Sequence, residues 1–424
     1  MRILEVSRYK NNFADHQLPF VTEQGEAIAQ ELRKLDNGHL TLDNGASAVE
    51  YFLVKGNYVT AVRELKKKIR EFKPDIVHAH YGLSAITAEL QGLVPVVTTF
   101  HNGETHSWWV NMMTSLMSLR AKHVIYVAPH IRDLVYFKAK NYSIIPCGVS
   151  LEDCFLMDKA EARKQLGWNP EKKYIMFGGA FDNTRKNYAL LREAVDIIEK
   201  ENKNKENTAN AEENIKENDS KSKTRSQQSI ETDSYSIDPQ SAQKQAFGQP
   251  TAQSCVIVDS EDQLSATYKN ADIQSSQKNA KNDHADSCIE IIEMKGLSRA
   301  ECVLRMNACD VFALPTKNEG SPQALKEAMA CNCPIVATDV ADIKYLLGDM
   351  PGHYVLPNKK GNGAWWKGDE HSAEELATLL KQAMAFEGRT EGRKRIVELG
   401  YTNELVAKKI IAIYQQVLEE NKQR

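Results

Sequence analysis

No run in this 424-residue chain approaches the ~18 continuous apolar residues of a membrane-spanning helix. The opening, MRILEVSRYKNN, has one short apolar stretch followed by polar residues. It lacks the longer hydrophobic region and small-residue cleavage site of a secretory signal. Strong charge of either sign is missing too: the formal net charge is −3, so the whole chain offers no electrostatic case for a nucleic-acid partner. Eight cysteines (147, 154, 255, 288, 302, 309, 331 and 333) include no CxxC pair. With no signal, that implies reduced thiols in a cytoplasmic protein. Cys331-Asn-Cys333 has no second Cys/His pair nearby to complete a metal clip. The rest, 42% hydrophobic and 26% charged, is ordinary soluble composition at a length for two or three domains.

Short β-type runs alternate with helical patterns over residues 1–150. RILEV precedes a helix from about Pro19 to Leu35, and DIVHAH, VPVVTTFH and VIYVA read as buried parallel strands. The pattern restarts at KYIMFGGAF, a strand entering a glycine turn, followed by the helical NYALLREAVDII. Residues 201–285 then become too polar to offset their ordering entropy, and a mostly disordered insertion is expected there, with SCVIVDS as one strand candidate. Structure is expected to resume at CIEIIEMKG, with a helix capped by Ser298 and the strand DVFALP. VAKKIIAIYQQVL closes the chain with Val406, Ile410, Ile413 and Val417 on one helical face. The reading is an α/β fold of two Rossmann-like, doubly wound parallel-sheet domains, 1–165 and 166–400, with a helix at 401–424. Ligands in such sheets bind at the C-terminal strand ends, where His78, His80 and His101 fall.

The densest signal is KNEGSPQALKEAMACNCPIVATD, residues 317–339. Ser321-Pro322 is a helix start, Asn332 suits a left-handed turn, and Pro334 blocks continuation into the strand IVAT. This puts Glu319 in the loop before the helix and Glu327 in its second turn. The helix start at 322–324 faces the same crevice with its positive dipole end, an anion site beside a carboxylate. A glycosidase pair would need two acids facing each other across one bond at about 5–10 Å, and this arrangement does not suit that.

E-G-S-P-x-x-x-x-E-A-M-A-C-N-C-P-I-V-A-T-D-V closely resembles the donor-binding signature of family 4 retaining glycosyltransferases, which have the GT-B architecture. Weaker echoes lie in DVFALPT, in SIIPCGVSLEDCF at the domain junction and in the terminal helix, which in that architecture crosses back to the first domain. The resemblance implies transfer of a sugar from a UDP-, GDP- or ADP-sugar to a glycan or lipid-linked acceptor, with retention, in bacterial surface-polysaccharide synthesis. It places Glu319 by the donor sugar and Glu327 at the ribose hydroxyls. The backbone of Gly320, Ser321, Pro322 and Gln323 would hold sugar and diphosphate, with Lys186, assisted by Arg185, clamping the diphosphate. His101 would contact the sugar and stabilise transition-state charge. Two cations can do a Lewis acid's work on the leaving group, so no metal or other cofactor is expected.

Four departures stand out. Ala180 occupies a position where many relatives carry arginine, Asn332 replaces a glycine, Ala341-Asp342 replaces Gly-Gly, and no glycine-rich loop is evident between Arg8 and Pro19. They keep open a non-catalytic nucleotide-sugar-binding protein. His78 and His80, two apart in a strand, keep open a metal-dependent hydrolase, with His101 and His106 as nearby further ligands. WWVNMMTSLMSLRAK carries an apolar stripe through Trp108, Met112, Leu116 and Leu119, and LKKKIREFK (65–73) is basic. An ordinary helix packed on its sheet accounts for the stripe, while an interfacial surface would allow peripheral association with the inner face of the cell membrane.

Overall fold

Alternating strands and helices build two all-parallel sheets in the computed structural model, which describes residues 1–8, 18–35, 48–101, 107–228, 288–358 and 371–423. The first sheet contains β1 (Ile3–Arg8), β2 (Val49–Val54), β3 (Ile76–His80), β4 (Val96–Phe100), β5 (His123–Tyr126) and β6 (Tyr142–Ile144). Its order is β2-β1-β3-β4-β5-β6. The second contains β7 (Lys173–Phe177), β8 (Ile289–Glu293), β9 (Val311–Leu314), β10 (Ile335–Thr338) and β11 (His353–Leu356), in the order β11-β10-β9-β7-β8. Helices α1 (Pro19–Leu35), α2 (Ala61–Phe72), α3 (Gly82–Gln91), α4 (Trp108–Ser118) and α5 (Pro129–Leu134) intervene in the first half. In the second are α6 (Lys159–Leu166), α7 (Tyr188–Gln228), α8 (Arg299–Ala308), α9 (Gln323–Ala330), α10 (Ile343–Leu347), α11 (Ala373–Ala385) and α12 (Gly392–Glu398). The last helix is α13 (Asn403–Lys422).

Local chemistry sets several of these boundaries. Ser298 caps α8 in a full capping box with Glu301, and Ser372 does the same for α11 with Glu375. The strands β3, β4 and β5 are buried at every position, and buried polar side chains among them, such as His78, His80 and Thr99, are hydrogen-bonded.

The terminal helix returns to the first sheet. Val406, Ile410, Ile413, Tyr414 and Val417 of α13 share one buried cluster with Ile3, Ile28, Leu32 and Val97. Each such aliphatic side chain contributes roughly 1.5–3 kcal/mol on burial. Where the chain passes between sheets, the Val149 N–H donates to Tyr401 O at 2.9 Å and Asn403 N–H donates to Val149 O at 3.0 Å. Val149 and Cys154 already belong to the second sheet's core, and Arg163 of α6 pairs with Asp310 at 2.7 Å. Packing therefore passes to the second sheet ahead of residue 165.

The expected disorder from residue 201 is corrected by α7, which continues to Gln228. Residues 201–228 contain no proline or glycine and are rich in Asn, Glu and Lys. A helix's hydrogen bonds are internal to its own segment, so a sequence too polar to build a core can still be helical. The rest of the expected insertion, 229–285, lies outside the described residues, and the unit 1–201 plus 288–424 carries both sheets. The strand candidate SCVIVDS and the Arg8–Pro19 loop lie outside the described residues, apart from the latter's last residue, Leu18.

Candidate active site

In the second sheet β7 lies between β8 and β9, so successive connections leave it in opposite directions. Loops following the two middle strands of such a reversal open a crevice at their C-terminal ends. The loop after β7 carries Gly178, Gly179, Ala180, Arg185 and Lys186, and the loop after β9 carries Thr316, Glu319, Gly320 and Ser321. Topology thus explains why residues about 130 positions apart meet. A Cβ on Gly179 would lie 2.6 Å from Lys186 Cγ, so only glycine lets the lysine stem fold back over the turn.

Lys186 Nζ donates to Glu319 Oε1 at 2.6 Å, and Thr316 Oγ1 donates to the same oxygen at 2.9 Å. Arg185 Nη1 reaches Glu319 Oε2 at 3.3 Å and Asn318 O at 2.8 Å. Glu319 is 7% exposed. The structure brings Glu319, Lys186 and Arg185 into one cluster, in which Arg185 supplies a cation on the loop where Ala180 supplies none.

The helix start is one residue later than expected, with Pro322 rather than Ser321 at the cap of α9. Proline has no N–H, so the first helical donors at the crevice belong to Gln323 and its successors. Asn332 takes the left-handed conformation at φ 54°, as its place after α9 suggested. The inner face of α9 grips the junction between the sheets: Gln323 Nε2 donates to Gly148 O and Lys326 Nζ to Cys147 O, each at 2.6 Å. Lys326 is fully buried, and burial lowers its pKa.

Glu327 does not join the Glu319 cluster. Its Oε1 lies 3.1 Å from Arg299 Nη2 at the start of α8, and Arg299 also pairs with Glu23 of α1. Burial raises the Glu327 pKa against Arg299 and Lys326. The two glutamates therefore face different cations and serve separate positions. Asp342, at the C-terminal side of β10, is another buried acid; burial pushes it up to about 6 against Ser321 and Lys326. Ala341 before it has φ 55°, a left-handed backbone in which a residue with a Cβ is strained.

The first half supplies histidines. His101 follows β4, its ring 4.9 Å from Phe20 and 4.8 Å from Tyr81. Its Nε2 lies 3.1 Å from His80 Nδ1 and its Nδ1 lies 3.7 Å from Cys147 Sγ. Burial, then His80, His78 and Lys326, hold its pKa well down. His130 of α5 hydrogen-bonds the Glu319 backbone, and burial pushes it down to about 4. His78 bonds Tyr414 OH at 2.6 Å and Thr99 Oγ1 at 2.7 Å, tying α13 to β3 and β4. His80 Nε2 bonds Glu5 Oε2 at 2.7 Å. Among the described residues, Glu5, His78 and His80 could hold a metal ion, their ligand atoms lying within 4.8 Å of one another. His106 lies outside the described residues.

Sequence reasoning did not single out Thr316, Lys326, Arg299, His130, Glu5 or Asp342 as site residues. The Ser298 cap immediately before Arg299 was a usable signal, since it places residue 299 at the mouth of α8. The other five are recognised only by the partners that folding brings to them.

The helix α4 corrects the simpler reading of its apolar stripe. Its buried residues are Asn111, Thr114, Ser115 and Ser118, whereas Trp108 is 69% and Leu116 44% exposed. Asn111 Nδ2 donates to Leu134 O, and Ser115 Oγ donates to Asn111 Oδ1, so the inward polar face is satisfied. The apolar stripe faces outward.

Two parallel-sheet α/β domains joined in this way define the GT-B fold. Residues 29–153 match the family model described as Glycosyltransferase Family 4, and residues 275–382 match that of Glycosyl transferases group 1. Both halves of the chain thus carry glycosyltransferase-family domains. Sucrose-phosphate synthase from Thermosynechococcus elongatus is similar in structure, with a TM-score of 0.61 at 14% identity, covering 99% of this chain and 100% of that one. Anabaena HepE in complex with UDP-glucose gives 0.53 at 13% identity, covering 100% of each chain. The lipopolysaccharide outer core galactosyltransferase WaaB gives 0.54 at 11%, covering 98% of this chain and 100% of that one. No curated protein matches by sequence.

Proposed function

We propose that the chain is a retaining glycosyltransferase that moves a sugar from a nucleotide-diphosphate donor to a glycan or lipid-linked acceptor. The observation that carries this reading is the Glu319 cluster: a buried carboxylate held by Lys186 and Arg185 at the mouth of α9. A leaving diphosphate needs positive charge placed before the bond breaks, and two cations beside a helix N-terminus supply it. In this reading Lys186 and Arg185 turn to the diphosphate, and Glu319 orients the sugar. Glu327 accepts from ribose hydroxyls. His101 stands on the other wall of the cleft and stabilises an oxocarbenium-like sugar while the acceptor attacks from the leaving-group face. No metal is assigned a role. The neighbour bound to UDP-glucose supports a nucleotide-sugar as donor.

The outward stripe of α4, together with Leu119 at 50% exposed and the basic Arg120 and Lys122, supports peripheral binding to an anionic membrane surface. That location suits a lipid-linked acceptor and bacterial surface-polysaccharide assembly at the cytoplasmic face. Among the described residues no helix is long and apolar enough to cross a membrane.

The test is a nucleotide-release screen over UDP-, GDP- and ADP-sugars, with and without lipid-linked acceptors, followed by the anomeric configuration of the product. Release with an inverted product would overturn retention. Tight binding of a nucleotide-sugar without release under any acceptor would favour the non-catalytic reading.

A further inference from the structure

In the first sheet β1 lies beside β3, and the register sets Glu5 opposite His78. β3 in turn pairs with β4, setting His80 opposite Thr99, two residues before His101. Strand order thus lines up a carboxylate and two imidazoles inside the sheet's C-terminal edge. The contacts are continuous: Glu5 Oε2 to His80 Nε2 at 2.7 Å, His80 Nδ1 to His101 Nε2 at 3.1 Å, and His101 Nδ1 to Cys147 Sγ at 3.7 Å.

We infer that Glu5 and His80 are positioning residues that hold His101 as its Nε2–H tautomer, through a one-way hydrogen-bond chain running Cys147, His101, His80, Glu5.

Both ends of the chain dictate the same direction. An ionised carboxylate can only accept, so the proton between Glu5 and His80 belongs to His80 Nε2. A neutral His80 then presents Nδ1 as an acceptor, and His101 must supply Nε2–H. At the far end the Cys147 thiol is a donor, which requires His101 Nδ1 to accept. Protonation supports the geometry. Burial would raise Glu5, but the charges of His78 and His80 when protonated, and the hydrogen bonds from their rings, hold it down to about 2; with the rings neutral the hydrogen bonds remain and Glu5 stays the acceptor. Burial lowers His80 and His101 and raises Cys147, which favours neutral rings and a protonated thiol. His78 faces the same carboxylate, its Nδ1 3.4 Å from Glu5 Oε2, but the shorter contact at that nitrogen is with Tyr414 OH at 2.6 Å.

The consequence for catalysis rests on the proposed contact between His101 and the donor sugar; the chain itself does not. An imidazole whose Nε2–H is drawn toward a buried anion carries more electron density, which favours a cation developing beside it.

The experiment uses the full chain labelled with 15N-histidine and records long-range 1H–15N spectra. His80 and His101 are assigned by their loss in His80→Gln and His101→Gln. Both rings are expected as Nε2–H tautomers. Glu5→Leu touches neither His101 nitrogen and is expected to turn His101 into a tautomer mixture, while Glu5→Gln, whose carboxamide oxygen still accepts from His80, keeps it. For an active enzyme, Glu5→Leu lowers kcat by about tenfold or more at unchanged donor KM, and Glu5→Gln restores most of it. An Nδ1–H signal for either ring in the wild type overturns the inference. So does an unchanged His101 spectrum in Glu5→Leu. Stoichiometric zinc held by Glu5, His78 and His80 would also overturn it, because a metal would occupy the His80 Nε2 lone pair. Should Glu5→Leu fail to fold, the wild-type spectrum still decides, as does Cys147→Ala compared with Cys147→Ser. These spectra need no sugar substrate, so they stand apart from the outcome of the nucleotide-release screen.

Discussion

Lys186 and Glu319, 133 positions apart in sequence, meet at 2.6 Å because their loops follow adjacent parallel strands of the second sheet. Their pairing leads to the first prediction. Lys186→Ala and Glu319→Ala each lower turnover by about 10²–10³-fold, the scale of removing one preorganised charge from a transition state. Circular dichroism should show the fold retained. Near-normal nucleotide release by either variant would remove the cluster from the mechanism.

Glu327 has its own cation in Arg299. Glu327→Ala is expected to raise the Kd of the active nucleotide by about tenfold or more, the cost of lost charge-assisted hydrogen bonds. Because the two glutamates have separate partners, the effects of Glu319→Ala and Glu327→Ala on binding free energy should add within about 0.5 kcal/mol. Calorimetric titration of the two single variants and the double variant measures this.

Asp342 carries a pH signature. Its folded pKa, about 6, lies above the ordinary aspartate value of 3.8, because burial disfavours the charged form. A raised carboxyl contributes stability below the unfolded pKa and loses it as pH rises through the folded one. Asp342→Asn is therefore expected to gain about 1–3 kcal/mol relative to wild type between pH 4 and pH 8. Urea unfolding at those two pH values reads the difference. A constant gap would show that Asp342 does not titrate in this window.

Lys326 holds the sheet junction through Cys147 O from a fully buried position. Lys326→Met keeps most of the volume and leaves the carbonyl unpaired, which costs about 1–3 kcal/mol. Lys326→Ala adds a cavity and should cost more. Denaturant midpoints at neutral pH distinguish the two.

The outward face of α4 predicts a membrane effect. Replacing exposed Trp108 and Leu116 by serine should weaken sedimentation with anionic vesicles by about tenfold or more, at roughly 1 kcal/mol or more per apolar side chain withdrawn from the interface. Release of nucleotide with a water-soluble acceptor should be unaffected. Equal vesicle binding by wild type and variant would place the contact elsewhere.

Much of the architecture was legible because its signals are local. The run from Pro19 to Leu35 is a helix with the bounds its apolar spacing predicts, and the Ser298 cap starts α8. The motif around Glu319 resolved into loop, helix and left-handed Asn332, with only the cap moved to Pro322. Helix α7 was misjudged beyond residue 201, because composition reports the ability to build a core rather than the ability to form internal hydrogen bonds. Helix α4 had two readings, and the structure favours the outward one over the simpler packed helix. A stripe specifies one apolar face, and nothing in its spacing states whether that face meets protein or solvent.

What the sequence determined alone was each segment's own preference: strands by apolar runs, helix ends by caps, and the glycine turn that brings Lys186 back over itself. The tertiary structure decided the partners. Strand order set β1 beside β3 and thereby gave His80 its carboxylate, and the reversal between β7 and β9 gave Glu319 its lysine. The return of α13 gave His78 its tyrosine. Local periodicity depends on neighbours within a few residues, whereas these contacts depend on which distant segments close the sheet, and that choice is made by the whole core at once.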